Sequence, residues 1–340
     1  MTTLGSRVNQ LIAPNALVTG ASGFVGSVLA NRLLKMGWRV TLLVRHGSSV
    51  DQFLDRSCTI VSFDGSMSDA QLITIFKDID VVFHCAGLTG VGHKKEDYFQ
   101  ANAELTDRIL QASERACVSK FIFLSSILVY KFDGATSRFS EESKSALDVI
   151  DPYSLSKIRA ESLCKKIREK SGLCTVIIRP AFIYGPGDRD GGFVPEMIRL
   201  IRINKFKFIG DGRNSIPLIY IQDLVDLIML AADSDDSSGM IFNACSTEKV
   251  TWLQFIGSIC DGLKLPLPSN IDARLILFMS AIFDYFLRIG WMSRVLLTSQ
   301  SAHLMSGDYS FSADKAREIL GFEAKVPFNE GVEKTLSSLK

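Results

Sequence analysis

Tyr153 and Lys157 are two ionisable side chains whose types and spacing suit proton transfer. They lie four positions apart at the start of a predicted helix, so their side chains share one face. A lysine ammonium close to a phenol favours the phenolate and lowers its pKa from about 10. The phenol could then exchange a proton with a substrate hydroxyl or carbonyl near neutral pH. Ser125 and Ser126, at the end of a predicted strand, offer a hydroxyl for the same substrate oxygen.

A glycine-rich turn near the beginning of the sequence predicts a dinucleotide ligand. The run Thr19-Gly20-Ala21-Ser22-Gly23-Phe24-Val25-Gly26 follows a short apolar strand and opens a helical pattern. Strand, glycine turn and helix are the arrangement that places a pyrophosphate on a helix N-terminus. We expect Gly20 to permit the tight turn, Gly23 to let the backbone approach the phosphates and Gly26 to let the helix pack closely. The G-x-x-G-x-x-G spacing differs from the commoner G-x-G-x-x-G, so the turn needs support from the rest of the chain.

The end of the second predicted strand, Leu43-Val44-Arg45-His46, bears on which dinucleotide is preferred. An acidic residue there suits the ribose 2′-hydroxyl of NAD, whereas a basic residue suits the 2′-phosphate of NADP. Arg45 therefore predicts NADP, with His46 and Ser48 as supporting donors and NAD as the alternative. A solvated strand end is the other interpretation of Arg45. Asp64, after the third strand, is placed to reach an adenine amine or to cap the next turn.

The elements that must position these residues alternate between strands and helices. Helical patterns over 102–117 and 154–170 separate short β-branched or aromatic runs at Ala16–Val18, Arg39–Val44, Thr59–Phe63, Val81–Phe83, Phe121–Leu124 and Thr175–Ile178. This rhythm predicts an α/β fold, a Rossmann-type doubly wound parallel sheet, over residues 14–180. Residues 181–340 are expected to form mainly a smaller substrate-binding lobe, with helices near 222–232 and 251–263 and some elements returning to the sheet.

Composition narrows the classes of partner. The 340 residues are 47% hydrophobic with a net charge of +1, which predicts no nucleic-acid partner and no disordered bias. The seven cysteines show no metal-ligand or redox spacing, so no metal site is expected. Reduced, buried thiols and the lack of a signal-peptide pattern predict a cytoplasmic protein.

These motifs, taken together and in order, resemble the extended short-chain dehydrogenase/reductases, the family of nucleotide-sugar epimerases, 3β-hydroxysteroid dehydrogenases and dihydroflavonol reductases. The resemblance covers nearly the whole chain. It rests on the glycine turn, Asp80 to Gly87, Asn102 with Thr106, Ser125 to Tyr130, Tyr153-Ser154-Leu155-Ser156-Lys157, Arg179 to Gly187, and the tail Phe311 to Ala316 with Leu320-Gly321-Phe322.

The resemblance implies a role for each matching residue. Ser126 would polarise the substrate, Tyr153 would be the acid/base, and Lys157 would hold the nicotinamide ribose and depress the pKa of the tyrosine. Pro180 and Ile183 would flank the nicotinamide, Ala86 and Gly87 would line the cofactor groove, and the turn, Arg45, Asp64 and Ser125 complete the predicted cofactor site. His84 and Arg179 are interpreted as structural. By the same analogy, the helices at 102–117 and 153–170 predict a homodimer.

Two departures from the family pattern narrow the reaction. Ile127-Leu128 stands where dehydratase members carry an Asp-Glu pair, so a 4,6-dehydratase is not expected. Ile216 and Ser306-Gly307 stand where nucleotide-sugar members place groups for the substrate diphosphate. A buried diphosphate without charged partners would cost several kcal/mol. Arg199, Arg202, Lys205, Lys207 and Arg213 are near enough in sequence to compensate.

Residues 271–297 are a third departure. This segment is apolar over most of a helical circumference but has no uninterrupted apolar run of about 18 residues. It predicts a packed core helix, a lid over a hydrophobic site, or a peripheral contact with a membrane. The steroid-type members resemble this chain in having an apolar insert here.

The sequence thus predicts an oxidoreductase that moves a hydride between NADP and a secondary alcohol or ketone, with a hydrophobic substrate of steroid, terpenoid or flavonoid type. Two alternatives stay open. A nucleotide-sugar epimerase would use the same Ser, Tyr and Lys with tightly bound NAD. A redox-sensing regulator would bind NADP(H) without chemistry. The sequence does not give the substrate or the direction of the reaction.

Overall fold

The protein is seen in a computed structural model that describes residues 13–339 apart from 55, 64–65, 91, 135–136, 150, 189–190 and 293–296. Each predicted strand is present and one to three residues longer than its sequence pattern. The strands are β1 (Asn15–Thr19), β2 (Arg39–Arg45), β3 (Cys58–Phe63), β4 (Val81–His84), β5 (Lys120–Leu124), β6 (Arg138–Phe139), β7 (Cys174–Pro180), β8 (Phe182–Tyr184), β9 (Phe208–Ile209), β10 (Ser215–Ile216), β11 (Leu218–Tyr220), β12 (Ile241–Ala244), β13 (Val250–Thr251), β14 (Asn270–Ile271) and β15 (Ser310–Phe311).

Helices connect these strands. They are α1 (Phe24–Lys35), α2 (Asp69–Phe76), α3 (Lys95–Phe99), α4 (Leu105–Arg115), α5 (Pro152–Ser171), α6 (Phe193–Arg202), α7 (Ile221–Asp233), α8 (Trp252–Leu263), α9 (Ala273–Arg288), α10 (Ser299–Ser306), α11 (Asp314–Leu320) and α12 (Phe328–Ser337). A single π-helical turn, Gln100–Glu104, joins α3 to α4.

A parallel sheet of seven strands forms the centre of the described structure, in the order β12-β7-β5-β4-β1-β2-β3. The order reverses direction between β1 and β4, which is the switch point where doubly wound folds bind their ligands. The predicted Rossmann-type fold is confirmed. Since the carboxyl ends of parallel strands share one edge, the residues after β1, β2, β4 and β5 lie together there.

Side chains alternate along each strand between two hydrophobic layers. Ala16 and Val18 pack in one layer with residues of α1 and α7, whereas Leu17 packs in the other with residues of α2, α4 and α5. Both faces of the sheet are therefore covered, which explains why the strands are nearly continuous apolar runs.

The second half of the chain adds short two-stranded ladders over this sheet. The pairs are β8 with β11, β9 with β14, β10 with β13, and β6 with β15. β12 returns to the main sheet and pairs with β7.

Helix α9 occupies most of the apolar segment that the sequence marks as a departure. Ser280 is the one buried side chain among its residues, so the interpretation as a packed core helix is wrong. Within the described residues, no helix combines the length and the apolarity needed to cross a membrane.

Candidate active site

Helix α5 begins at a well-formed cap, and this cap fixes Tyr153 in its first turn. Asp151 accepts hydrogen bonds from the Ser154 backbone N–H at 2.8 Å and from the Ser154 hydroxyl at 2.6 Å. Pro152 follows as the first helical residue, a position where its missing N–H costs nothing. Tyr153 and Lys157 then lie on successive turns of one helix face.

Ser126 lies beside Tyr153, as predicted. It follows β5, and its Oγ accepts the Leu128 N–H at 3.1 Å, which caps a short helical turn over Ile127–Val129. The Ser126 hydroxyl lies close enough to that of Tyr153 to lower the pKa of the phenol. Two hydroxyls from distant parts of the sequence are thus available to one substrate oxygen at the carboxyl edge of the sheet.

Lys157 is buried directly behind this pair, at 4% exposure. Its Nζ donates to the Leu124 carbonyl at 2.9 Å and lies 5.0 Å from the centre of the Phe123 ring. A Cβ at Gly87 would come within 2.9 Å of the Asn102 Oδ1 and 3.2 Å of this Nζ, so a side chain there would crowd both groups. Burial lowers the pKa of Lys157 to about 8.

The pKa of Tyr153 is shifted in the direction opposite to the sequence prediction. Burial raises it to about 12, the charge of Asp151 and the neighbouring Tyr98 raise it further, and the nearby Ser126 hydroxyl lowers it. Lys157 contributes nothing to this shift, since its ammonium is directed at the Leu124 carbonyl. The prediction that Lys157 lowers the pKa of Tyr153 is therefore wrong for this structure, in which the phenol is a proton donor at neutral pH.

The glycine turn has the close approaches that a dinucleotide cradle requires. Gly20 has a φ of +72°, and a Cβ there would lie 2.7 Å from the Ala86 nitrogen. A Cβ at Gly26 would lie 2.3 Å from the Gly20 oxygen, so α1 can meet β1 only through a glycine. Gly23 precedes α1, and among the described residues no side chain caps this helix and no acidic residue stands in its first turn. The first N–H groups of α1, starting with Phe24 and Val25 after Ser22, therefore fit a diphosphate.

Arg45 lies exposed at the carboxyl end of β2, next to the glycine turn on β1. It makes no ion pair with any residue in the described part of the chain. His46, which follows, has its Nδ1 3.3 Å from the Ser62 Oγ. The Ser48 N–H donates to the Arg45 carbonyl at 3.0 Å and closes the turn. Asp64, the predicted adenine contact, falls outside the described residues.

Other predicted cofactor residues lie on the same edge, with one difference. Ala86 and Gly87 follow β4, Pro180 ends β7, and Ile183 lies half-buried in β8. The Ser125 hydroxyl instead donates to Glu161 at 2.6 Å, which commits its side chain to the core. The Ser125 N–H donates to the Ile178 carbonyl at 2.7 Å, so neither donor of Ser125 is left for a ligand.

Glu161 also forms the buried ion pair that positions the end of β7. Arg179 Nε and Nη2 donate to its two carboxylate oxygens at 2.9 and 2.6 Å. The interpretation of Arg179 as an ion-pair partner is confirmed.

His84 is a neutral structural residue, also as interpreted. Thr106 Oγ1 donates to the Asn102 carbonyl at 2.6 Å, so it accepts from His84 Nε2 at 2.9 Å. His84 Nδ1 then accepts from the Thr19 hydroxyl at 2.8 Å, and Thr19 Oγ1 accepts the Ala86 N–H at 3.1 Å. Burial lowers the pKa of His84 to about 3, which keeps the ring neutral.

Asn102 is a site residue whose role the sequence did not reveal. Its Oδ1 accepts the Leu88 N–H at 2.7 Å, and its Nδ2 donates to the Leu88 carbonyl at 3.1 Å and to the Ser156 Oγ at 2.9 Å. It thereby ties the loop after β4 to the helix that carries Tyr153 and Lys157. The available signal was its four-residue spacing from Thr106, but the π-helical turn that aims Asn102 inward has no sequence pattern that we recognised.

The fold and the site together define a nicotinamide-dependent enzyme of the extended short-chain dehydrogenase/reductase class. A model of the NAD-dependent epimerase/dehydratase family matches residues 16–245. The chain belongs to this family, and the resemblance in the sequence is confirmed.

Sterol enzymes are among the relatives by sequence, and a nucleotide-sugar epimerase is among the similar structures. The chain is 28% identical over 340 residues to the mouse sterol-4-alpha-carboxylate 3-dehydrogenase, decarboxylating, covering 96% of this chain and 91% of that protein. It is 27% identical over 349 residues to isoform 2 of the Arabidopsis thaliana 3beta-hydroxysteroid-dehydrogenase/decarboxylase, covering 95% of this chain but only 61% of that protein. The UDP-glucuronic acid 4-epimerase from Bacillus cereus, solved with UDP-glucuronic acid and NAD, superposes with a TM-score of 0.75 at 23% identity, over 96% of this chain and 98% of that one. This last likeness shows the fold alone.

Proposed function

We propose that this protein is an NADP-preferring oxidoreductase that interconverts a secondary alcohol and a ketone on a hydrophobic substrate. The observation that carries the proposal is the placement of the Ser126 and Tyr153 hydroxyls next to each other, with Lys157 on the same helix as Tyr153, at the carboxyl edge of the sheet beside the glycine turn. Proton donors beside a dinucleotide cradle are what hydride transfer to a carbonyl requires.

In the proposed reaction, each of the three residues acts on a stated atom. A bound nicotinamide supplies or accepts the hydride. Tyr153 gives its phenolic proton to the substrate oxygen during reduction and takes it back during oxidation. Ser126 donates a hydrogen bond to the same oxygen and orients it. Lys157, whose pKa burial lowers to about 8, would offer its ammonium to the ribose of the bound cofactor.

A hydrophobic substrate is favoured over a sugar nucleotide by what fills the predicted diphosphate positions. Ile216 is 2% exposed and packs in the core. Gly307 lies against the Tyr309 ring, where a Cβ would come within 2.3 Å. Asp308, beside it, accepts the Ser215 N–H at 3.0 Å and forms an ion pair with Lys249. A diphosphate would meet apolar surface and a lysine that is already paired there, at a cost of several kcal/mol.

The two relatives support the same substrate class. Both are named as dehydrogenases of sterols that also decarboxylate their substrate. Since the chain spans about three fifths of the Arabidopsis protein, we take from these names only the class, an alicyclic secondary alcohol.

Preference for NADP is tested by a titration of purified protein with NADPH and NADH, followed by intrinsic fluorescence. Arg45→Ala is expected to weaken NADPH binding about 10- to 100-fold and to leave NADH binding nearly unchanged, because one charge-assisted hydrogen bond is worth about 1.5–3 kcal/mol. Arg39→Ala is the matched control, since Arg39 lies at the opposite end of the same strand. Equal affinities for the two cofactors in the unmodified protein, or NAD retained through purification, would contradict the proposal and favour an epimerase.

A further inference from the structure

Helix α9 carries a stripe of large apolar side chains that face solvent. The stripe consists of Leu275, Phe278, Met279, Ile282, Tyr285 and Ile289, which are 37–66% exposed. Trp291, just beyond the helix, is 74% exposed and packs its ring 4.6 Å from that of Phe286. Spacings of three and four residues put these side chains on one face over four turns, and such a continuous apolar face signals an interaction surface.

Positive charges predominate along this stripe, and the one exposed carboxylate at the start of α9, Asp272, accepts the N–H groups of Arg274 and Leu275. Arg274 and Arg288 are exposed and lie along one flank of the stripe, at the two ends of the helix. Neither forms an ion pair with any residue that the structure describes. Asp284 lies one turn before Arg288 on the same flank and accepts the Ser299 N–H at 3.3 Å, which attaches α9 to α10. Arg202 and Lys205 are also exposed, before β9, and β9 pairs with β14, which leads into α9.

We propose that this face is a docking surface for an anionic phospholipid bilayer. Apolar side chains in the centre, arginines at the flank and the amphipathic rings of Tyr285 and Trp291 near one end are the composition of a helix that lies in the membrane interface. A bilayer with acidic headgroups supplies both the apolar layer and the negative charge that the surface lacks. The absence of a helix in the described residues that could span a membrane fits a peripheral contact.

A second copy of the chain fits this face less well. A two-fold contact would set the same residues against themselves. The arginines of one copy would then face those of the other, while the carboxylates of Asp272 and Asp284 already accept backbone N–H groups of their own chain.

The position of α9 relative to the active site suggests that membrane docking admits the hydrophobic substrate, an inference that rests on the proposed function. Ser280 of α9 bonds Ser299 at the start of α10, with 3.4 Å between the hydroxyl oxygens. Thr298, the cap of α10, donates to Asp151 at 3.5 Å, and Asp151 caps the helix that carries Tyr153. The docked helix is therefore linked to the helix of the catalytic pair through the start of α10. A membrane-dissolved alcohol or ketone could enter the active site there.

The docking surface is tested with the full chain by flotation with two kinds of vesicle, pure phosphatidylcholine and a mixture with phosphatidylserine. We expect binding to the mixed vesicles and at least tenfold less to the neutral ones. Phe278→Glu should abolish binding, and Arg274→Gln with Arg288→Gln should remove the preference for phosphatidylserine. Leu147→Glu is the matched control, because Leu147 is 71% exposed but lies outside α9. Circular dichroism checks that each variant is folded.

Tryptophan emission reports the same event by a second route. Insertion should shift the emission to shorter wavelength on addition of mixed vesicles, and Trp291→Phe should remove that shift while Trp38→Phe retains it. Failure of the unmodified protein to float with mixed vesicles, or equal binding by Phe278→Glu, would overturn the proposal. A fall in molecular mass from dimer to monomer in Phe278→Glu would overturn it in favour of a second copy. These outcomes are independent of cofactor turnover, so they do not depend on the proposed reaction.

Discussion

Among single residues, Tyr153 and Lys157 have pKa values shifted in opposite directions. The phenol keeps its proton, whereas the amine loses a proton more easily than usual. Burial raises the pKa of Tyr153 to about 12 and lowers that of Lys157 to about 8. The free enzyme thus holds Tyr153 in the form that donates a proton, while Lys157 is partly neutral in mildly alkaline solution. Such shifts require desolvation, and desolvating an ammonium costs stability.

Lys157→Met is therefore expected to make the protein more stable at pH 7, on the order of 2–3 kcal/mol, while removing activity. The folded pKa of Lys157 lies below its ordinary value of 10.5, so the unfolded chain binds more protons between about pH 8 and 10.5. Stability should rise with pH across that window in the unmodified protein, and this rise should be smaller in the variant. Urea unfolding at pH 7 and at pH 10 measures both effects.

Lys165→Met is the control for this prediction, because Lys165 is exposed on the same helix. It should change the free energy of unfolding by less than about 0.5 kcal/mol. A rise in stability from pH 7 to pH 10 that is as large in Lys157→Met as in the unmodified protein would show that the pKa of Lys157 is not lowered by folding.

At the scale of elements, the contact of α1 with β1 is tight enough to exclude any side chain at Gly26. Its Cβ would lie 2.3 Å from a backbone oxygen that cannot move away without opening the turn. Gly26→Ala should therefore cost about 1–3 kcal/mol in the free energy of unfolding and weaken binding of NADPH.

Gly257→Ala provides the comparison. Gly257 also lies within a helix, but no atom stands within 4 Å of its Cβ position, so alanine should be neutral or stabilising by up to about 1 kcal/mol. Thermal or urea unfolding with a fluorescence titration checks both variants. Equal stability and equal cofactor affinity for Gly26→Ala would remove the packing role assigned to this glycine.

A buried lysine on β5 completes the end of α7. Lys120 Nζ donates to the carbonyls of Ala232 at 2.8 Å and Ser234 at 2.7 Å. Lys120→Met would leave these helix-end acceptors buried and unpaired, so we expect a loss of about 1–3 kcal/mol in urea unfolding.

Lys249→Met is the matched surface control. Lys249 pairs with Asp308 at 3.0 Å but is 68% exposed, so its loss should cost less than about 1 kcal/mol. If the two variants lose the same free energy of unfolding, the buried hydrogen bonds of Lys120 to the end of α7 do not stabilise the protein more than a surface ion pair does.

For the molecule as a whole, the features that could be predicted from the sequence are those that depend on short sequence patterns. Apolar strands between helical patterns predicted the sheet, and Tyr153, Lys157 and Ser126 predicted the centre of the site, because each pattern is local or carried by the family resemblance. The homodimer suggested by the same resemblance stays a prediction, which light scattering would test.

Features that depend on long-range burial could not be predicted in this way. Lys120 meets carbonyls more than 100 positions later in the chain. The pKa of Tyr153 reverses the expected direction because burial and Asp151 outweigh a lysine that is directed elsewhere. The exposure of α9 was equally hidden, since an apolar helix has the same sequence pattern in a core and at a surface.

Transfer of deuterium from NADPH to a ketone tests directly whether the protein is a hydride-transferring oxidoreductase. The protein is incubated with a hydrophobic cyclic ketone and NADPH that carries deuterium at C4 of the nicotinamide, and the product is examined by mass spectrometry. We predict an alcohol with one deuterium on the carbinol carbon, formed as NADPH is consumed, and none with a Tyr153→Phe variant that still binds NADPH. No consumption of NADPH with any such ketone, together with NAD retained by the protein and turnover of a sugar nucleotide, would contradict the account.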